Sequence, residues 1–125
     1  MERKKRILLI DDEPAFTRLM KLNLETNGPY EVRIENDGSH AVATARAYAP
    51  DLIFLDVIMP DVDGGQVASE LRGDPKLKHT PIVFLTAVVS KNEVVQRGDV
   101  IGGQTFLAKP VSVADMLKTI ERFAA

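Results

Sequence analysis

Short apolar runs alternating with amphipathic stretches constrain this chain more than any other feature of its 125 residues. The first, Arg6-Ile-Leu-Leu-Ile10, is bounded by charge and reads as a buried strand. Behind it Phe16, Leu19, Met20, Asn23 and Leu24 fall at helical spacing, on a helix that begins near Pro14 and stops at Asn27-Gly28-Pro29. Glu31-Val-Arg-Ile-Glu35 alternates with period two, as a strand with one polar side does, at or near a sheet edge. Ser39 to Tyr48 is alanine-rich, with Ala41, Ala45 and Tyr48 on one face, and must end as a helix before Pro50. Leu52-Ile-Phe-Leu55 is continuously apolar and stops at Asp56, as expected of a central strand covered on both faces.

The second half repeats the alternation. A turn-rich segment from Met59 to Gly65 leads to a short helix carrying Val67, Ala68 and Leu71. Pro81 to Leu85 is a fourth strand ending at Thr86, and Thr105-Phe-Leu107 is a short fifth. Between them Ser90-x-x-Glu93 offers a capping box to a fourth helix weakened by Val94, Val95, Gly98 and Val100. Lys109-Pro110 opens onto a last helix from about Val113, with Met116, Leu117, Ile120 and Phe123 on one side.

Strands alternating with helices predict an α/β fold: a parallel sheet covered on both faces, with right-handed crossovers. The length suits one core, so a single domain over residues 1–125 is expected. No apolar stretch approaches the roughly 20 residues that span a bilayer, and the run behind the basic MERKKR start is too short for a signal peptide. With no cysteine, stability must come from packing, which suits a reducing cytoplasm. Sixteen basic residues against eighteen acidic give no broad electropositive field, so direct nucleic-acid binding is not expected.

Ligand chemistry in such a fold belongs at the carboxyl ends of the strands. The residues there are Asp11-Asp12, Asp56, Thr86 and Lys109. Three carboxylates in one small cleft raise one another's pKa unless a cation intervenes. All-oxygen donors, without His or Cys, favour Mg²⁺. Lys109 and the Thr86 hydroxyl add a positive charge and a donor, which together suit an incoming phosphoryl group with a carboxylate as its acceptor. His40 and His79 have no ligand spacing and read as surface residues; Gly64-Gly65 and Gly102-Gly103 match no phosphate-loop pattern and read as turns.

In this order, Asp11-Asp12, Asp56-x-x-Met59-Pro60-x-x-Asp63-Gly64, Thr86-Ala87 and Lys109-Pro110 resemble the receiver domain of bacterial two-component response regulators, the chemotaxis-type (βα)5 module, over essentially the whole chain. The resemblance implies a doubly wound, flavodoxin-like three-layer sandwich with a five-stranded parallel sheet of order 2-1-3-4-5. It implies that Asp56 accepts a phosphoryl group from a phosphohistidine of a sensor histidine kinase or phosphotransfer protein. By the same resemblance Asp12 binds Mg²⁺ directly, Asp11 helps through water, and the main-chain carbonyl of Ile58 is a further ligand. Lys109 contacts the phosphoryl group and precedes a cis bond to Pro110. Thr86 and Phe106 form the switch pair that signals to an effector protein or output domain through the fourth helix, fifth strand and fifth helix. The same face would serve a phosphorylation-dependent dimer of an otherwise monomeric protein. The switch aromatic here has no hydroxyl, and Ile58 and Val88 are apolar at two positions where relatives often carry polar groups, which points to slow loss of the phosphoryl group. A dehalogenase-type phosphatase would need D-x-D after the first strand, where this chain has adjacent aspartates. A receiver-shaped module that never takes phosphate would lack the acceptor, an acidic ligand or the lysine, and all are present.

Overall fold

The computed structural model describes residues 3–86, 100–101 and 104–124. Five parallel strands form its sheet: β1 (Lys5–Ile10), β2 (Tyr30–Glu35), β3 (Leu52–Asp56), β4 (Ile82–Thr86) and β5 (Gln104–Ala108), in the order β2-β1-β3-β4-β5. This is the predicted order. The short segment Val100–Ile101 pairs antiparallel with β5. The helices are α1 (Pro14–Thr26), α2 (Ala41–Tyr48, entered through a 3-10 turn at Gly38–His40), α3 (Gly64–Gly73) and α4 (Val113–Phe123). The fourth helix expected from Ser90 lies outside the described residues, so α4 is the predicted last helix.

Both faces of the sheet are dry, which is why its central strands read as unbroken apolar runs rather than as alternation. Ile7, Leu9, Phe54, Val83, Leu85 and Leu107 pack under α1 and α4 with Met20, Leu24, Met116 and Ile120. The other set, Leu8, Ile10, Ile53, Leu55 and Phe84, packs under α2 and α3, where Ala41, Ala45 and Ala68 let the helices lie close. β2 keeps its alternation because it is the edge strand.

Helix α1 departs from the expected stripe. Its buried face is Thr17, Met20 and Leu24, whereas Leu19 is 54% exposed and Leu22 is 65% exposed. The polar Thr17 occupies a core position because its hydroxyl donates to the Pro14 carbonyl (3.1 Å) and accepts from the Asn36 amide (3.0 Å). That arrangement turns Leu19 toward solvent, where apolarity alone could not have placed it.

The segment after Asp56, expected as a plain turn, carries a small antiparallel ladder between Ile58–Met59 and Val62–Asp63. Asp61 takes φ 59° at its tip. Asp63 then caps α3 by accepting from the Gly65 amide (2.9 Å). Gly64 starts the helix in close contact with the backbone behind Asp56: a Cβ there would lie 2.6 Å from the Val57 oxygen and 2.7 Å from the Asp56 oxygen. Gly64 also donates its amide to Val57 (3.1 Å). Neither neighbour is a side chain that can swing away, so Gly64→Ala should destabilise the domain by about 1–3 kcal/mol, as overpacking does. An unchanged melting midpoint for Gly64→Ala would show that α3 can back away freely.

Candidate functional site

Asp11 follows β1, Asp56 ends β3, Thr86 ends β4 and Lys109 follows β5, so four neighbouring strands deliver their polar termini to one end of the sheet. Oxygens of Asp11, Asp12 and Asp56 all lie within 4.8 Å of one another. Asp11 is fully buried and Asp56 is 4% exposed. Lys109 reaches into this group from the far wall. Its ammonium lies 2.7 Å from Asp11 Oδ2, 3.1 Å from Glu13 Oε1 and 3.5 Å from Asp56 Oδ2.

Main-chain amides hold the carboxylates in place. The Glu13 amide donates to Asp11 Oδ1 (3.0 Å) and the Ile58 amide to Asp56 Oδ1 (3.1 Å). Each carboxylate thus keeps its second oxygen turned to the cleft. Asp11 Oδ2 is buried, and its one close partner is the Lys109 ammonium at 2.7 Å, which stands off the ideal hydrogen-bond direction. A buried, under-donated oxygen beside two more carboxylates is a donor set that a hard cation fits.

The charge balance is strained. Burial, reinforced by the neighbouring Asp11 charge, pushes Asp56 up to about 6 despite the Ile58 amide and Lys109. Burial also raises Asp11, against the pull of Lys109 and the Glu13 amide. Burial alone would lower Lys109, but the Asp11 and Glu13 carboxylates outweigh it and hold the ammonium above its ordinary value. The lysine therefore stays charged while the carboxylates compete for it.

Several supporting residues carry no signal of this role in the sequence. Glu13, third in an acidic run, pairs with Lys109 although it looks like an ordinary residue before a helix. Asn36 donates to the Asp11 carbonyl (2.7 Å), tying the end of β1 to the loop after β2. The Phe16 ring lies 5.2 Å from the Lys109 ammonium, close enough for a cation–π contact. Phe16 falls on the apolar stripe that the sequence predicts for α1, which says nothing of a contact with Lys109.

Thr86 is buried at 4% exposure, and its carbonyl accepts from the Lys109 amide (2.8 Å). Phe106 is half-buried and packs on the α2/α3 side, with its ring 5.2 Å from Phe84 and an interplanar angle of 27°. Phe84 and Thr86 share that face by the alternation of the strand. Asp56 and Lys109 fall on the opposite alternation, so the expected switch pair and the acidic cleft meet at the strand ends from different sides of the sheet. Ile58 is 58% exposed. The Lys109–Pro110 bond is cis. Val88 lies outside the described residues. His40 and His79 are exposed.

These shifts make stability pH-dependent in a stated direction. Asp56 binds its proton more tightly in the folded than in the unfolded chain, so its contribution is present at about pH 4 and lost as pH rises through about 6. Asp56→Asn, which cannot ionise, should therefore match the parent in metal-free buffer near pH 4. It should exceed the parent by on the order of 1–3 kcal/mol at pH 7. A difference that stays constant across this range in chemical denaturation would refute the strained-carboxylate account.

A family model, response regulator receiver domain, matches residues 7–121. The DNA-binding dual master transcriptional regulator RpaA of Synechocystis is 40% identical over 115 residues, which are 92% of this chain and 47% of that protein. Response regulator PleD of Caulobacter vibrioides is 42% identical over 106 residues, 85% of this chain and 23% of its own length. This chain thus spans less than half of those curated relatives. Polar-differentiation response regulator DivK of Brucella anthropi is 31% identical over 121 residues, with 95% of both chains covered. Among solved structures, the Vibrio cholerae chemotaxis protein CheY4 superposes with a TM-score of 0.80 at 32% identity, covering 96% of this chain and 98% of that one. With its five-stranded sheet in the order of that fold and an acidic cluster that fits Mg²⁺, the chain belongs to the response regulator receiver domain family, whose general role is that of a signalling phospho-acceptor.

Proposed function

We infer that residues 1–125 act as one receiver domain in which Asp56 is the phospho-acceptor, and that the carboxylate cluster with Lys109 is its reaction site. The observation that carries this reading is the convergence of three carboxylates within 4.8 Å, faced by one ammonium. The phosphoryl donor is a phosphohistidine on a sensor kinase or phosphotransfer protein. An Asp56 oxygen attacks phosphorus as the donor P–N bond breaks; the imidazole leaves with that electron pair and takes up a proton. The product is an acyl phosphate on Asp56.

Mg²⁺ would be held by Asp11, Asp12 and Asp56, with the Ile58 carbonyl as a further ligand. When bound it supplies the charge neutralisation that three carboxylates and an incoming phosphoryl group require. Lys109 neutralises phosphoryl oxygens from the opposite wall, and the Thr86 hydroxyl donates to one of them. The buried setting of Asp11 and Asp56 strengthens each of these interactions. Asp56 accepts the phosphoryl group as its carboxylate, which the raised value near 6 leaves available at neutral pH.

Thr86 and Phe106 would carry the state of Asp56 to partners. Phe106, stacked on Phe84, has ring rotation but no hydroxyl with which to report it. The output face is β5 with α4 and the predicted fourth helix; it serves an effector protein or output domain, and a dimer formed on phosphorylation. The setting is cytoplasmic, and the chain makes no direct nucleic-acid contact. Ile58 and Val88 cannot hydrogen-bond a hydrolytic water, so the phosphoryl group is long-lived.

Acetyl phosphate with Mg²⁺ should add one phosphoryl mass to the chain, and Asp56→Asn should abolish it; full labelling of that variant would overturn the assignment. Millimolar Mg²⁺ should stabilise the fold relative to EDTA, by about 2.7 kcal/mol at one hundred times the dissociation constant, and so raise its melting midpoint. Asp12→Ala should blunt that response, and equal responses in the two proteins would remove Asp12 from the metal site. Ile58→Asn with Val88→Glu should shorten the half-life of the label several-fold, on the order of 1 kcal/mol in barrier. An unchanged half-life would place control of the lifetime elsewhere.

A further inference from the structure

β2 ends the sheet, pairing only with β1 among the described residues, and its outward hydrogen-bonding groups are met in an unusual way. The Pro29 and Glu35 carbonyls accept from the amides of Lys5 and Asp11 (both 3.1 Å), so the odd-numbered positions turn toward β1. The even positions Tyr30, Val32 and Ile34 turn away from it. At the central one, the Val32 amide donates to Glu25 Oε2 (2.9 Å), and its carbonyl accepts from the Lys21 ammonium (2.6 Å). Lys21 and Glu25 also pair with each other (2.9 Å), closing a ring from one turn of α1 onto one residue of the sheet edge. One donor and one acceptor are offered to one residue, which is what a neighbouring strand would offer.

The strand beneath this ring is self-complementary. In an antiparallel pairing of two copies centred on Val32, Val32 faces Val32, Tyr30 faces Ile34, and Glu31 faces Arg33, the last two pairs each occurring twice. Val32 belongs to the core under α1, against which Tyr30 also packs, while the Arg33 guanidinium lies 5.9 Å from the Tyr48 ring on the α2 side. The apolar and charged cross-strand pairs would thus lie on separate faces, as in an ordinary sheet. A cleft of about 370 Å³ lined by Lys21, Glu31, Val32, Arg33, Ile34 and Tyr48 runs along this edge. Burial works against the charge on Glu25, but the Val32 amide and Lys21 outweigh it and hold the carboxyl below its ordinary value. The ion pair is therefore intact at neutral pH.

We propose that the outer edge of β2 is a strand-pairing surface for a second copy of this chain, and that the Lys21–Glu25 ion pair is the gate that keeps it closed. Removing both side chains leaves the Val32 amide and carbonyl to be satisfied by the same groups of another copy. This surface is independent of the phosphoryl chemistry and lies at the opposite edge of the sheet from β5.

Sedimentation equilibrium on the metal-free protein tests it. Lys21→Ala with Glu25→Ala should dimerise at least tenfold more tightly than the parent. Adding Arg33→Glu sets like charges across both Glu31 pairs and should abolish the gain, and adding Glu31→Arg to that protein should restore it. Association no tighter than in the parent, or indifferent to the charges at 31 and 33, would overturn the proposal. Because the double variant loses contacts between α1 and β2, Glu25→Gln, which keeps an acceptor, gives a second reading through hydrogen exchange. The Val32 amide should exchange several-fold faster than in the parent when the protein is dilute and regain protection when it is concentrated. Concentration-independent exchange in Glu25→Gln would count against the gate.

Discussion

Everything at the functional end of this domain depends on one unequal contest, in which a single ammonium must serve several carboxylates. Lys109 lies within 3.5 Å of oxygens on Asp11, Glu13 and Asp56, two of which are buried. Desolvation makes each charge expensive, and proximity makes the carboxylates costly to one another. One cation cannot neutralise the set, so the site retains an electrostatic demand for more positive charge. The fold tolerates that demand because the central strands are apolar on both faces and contribute packing without further polar cost.

The topology explains why the demand arises where it does. The chain winds outward from β1 through α1 to β2, then crosses back through α2 to β3, so the crevice between β1 and β3 lies at the reversal of winding. Strand termini on either side of such a reversal face one crevice with no crossover helix filling it. Asp11 and Asp56 occupy those two termini. Gly64 keeps α3 tight against the loop behind Asp56, Asn36 ties down the Asp11 main chain, and the Lys109 amide is bound to the Thr86 carbonyl. The reactive groups are therefore positioned chiefly by backbone, which leaves one oxygen of each buried carboxylate for chemistry.

Much of this was legible in the residues alone, for a definite reason. Asp11, Asp56 and Lys109 each interrupt or follow an apolar run, and strand ends in a parallel sheet converge, so their meeting could be predicted without coordinates. Glu13 carries no such signal because an acid before a helix is ordinary, and Asn36 carries none because its partner is 25 residues away. Apolarity puts Leu19 on the buried stripe of α1, whereas Thr17 is the buried residue because it finds partners in Pro14 and Asn36, which spacing does not reveal. Lys21 and Glu25 stand four residues apart on α1, a spacing with no sign of the sheet in it; that they bind the edge of β2 depends on a tertiary contact between α1 and the sheet. The expected fourth helix and Val88 fall outside the described residues.

The central claim is that Lys109 restrains a carboxylate pair that burial would otherwise protonate. It is tested most directly by a carboxyl-carbon NMR titration of Asp56 in metal-free protein, run on the parent chain and on Lys109→Met. The account predicts a midpoint near pH 6 in the parent and a higher one in the variant, because the only cation within 4 Å of Asp56 among the described residues has been removed. A midpoint at the ordinary aspartate value in the parent, or one that does not move in Lys109→Met, would contradict it.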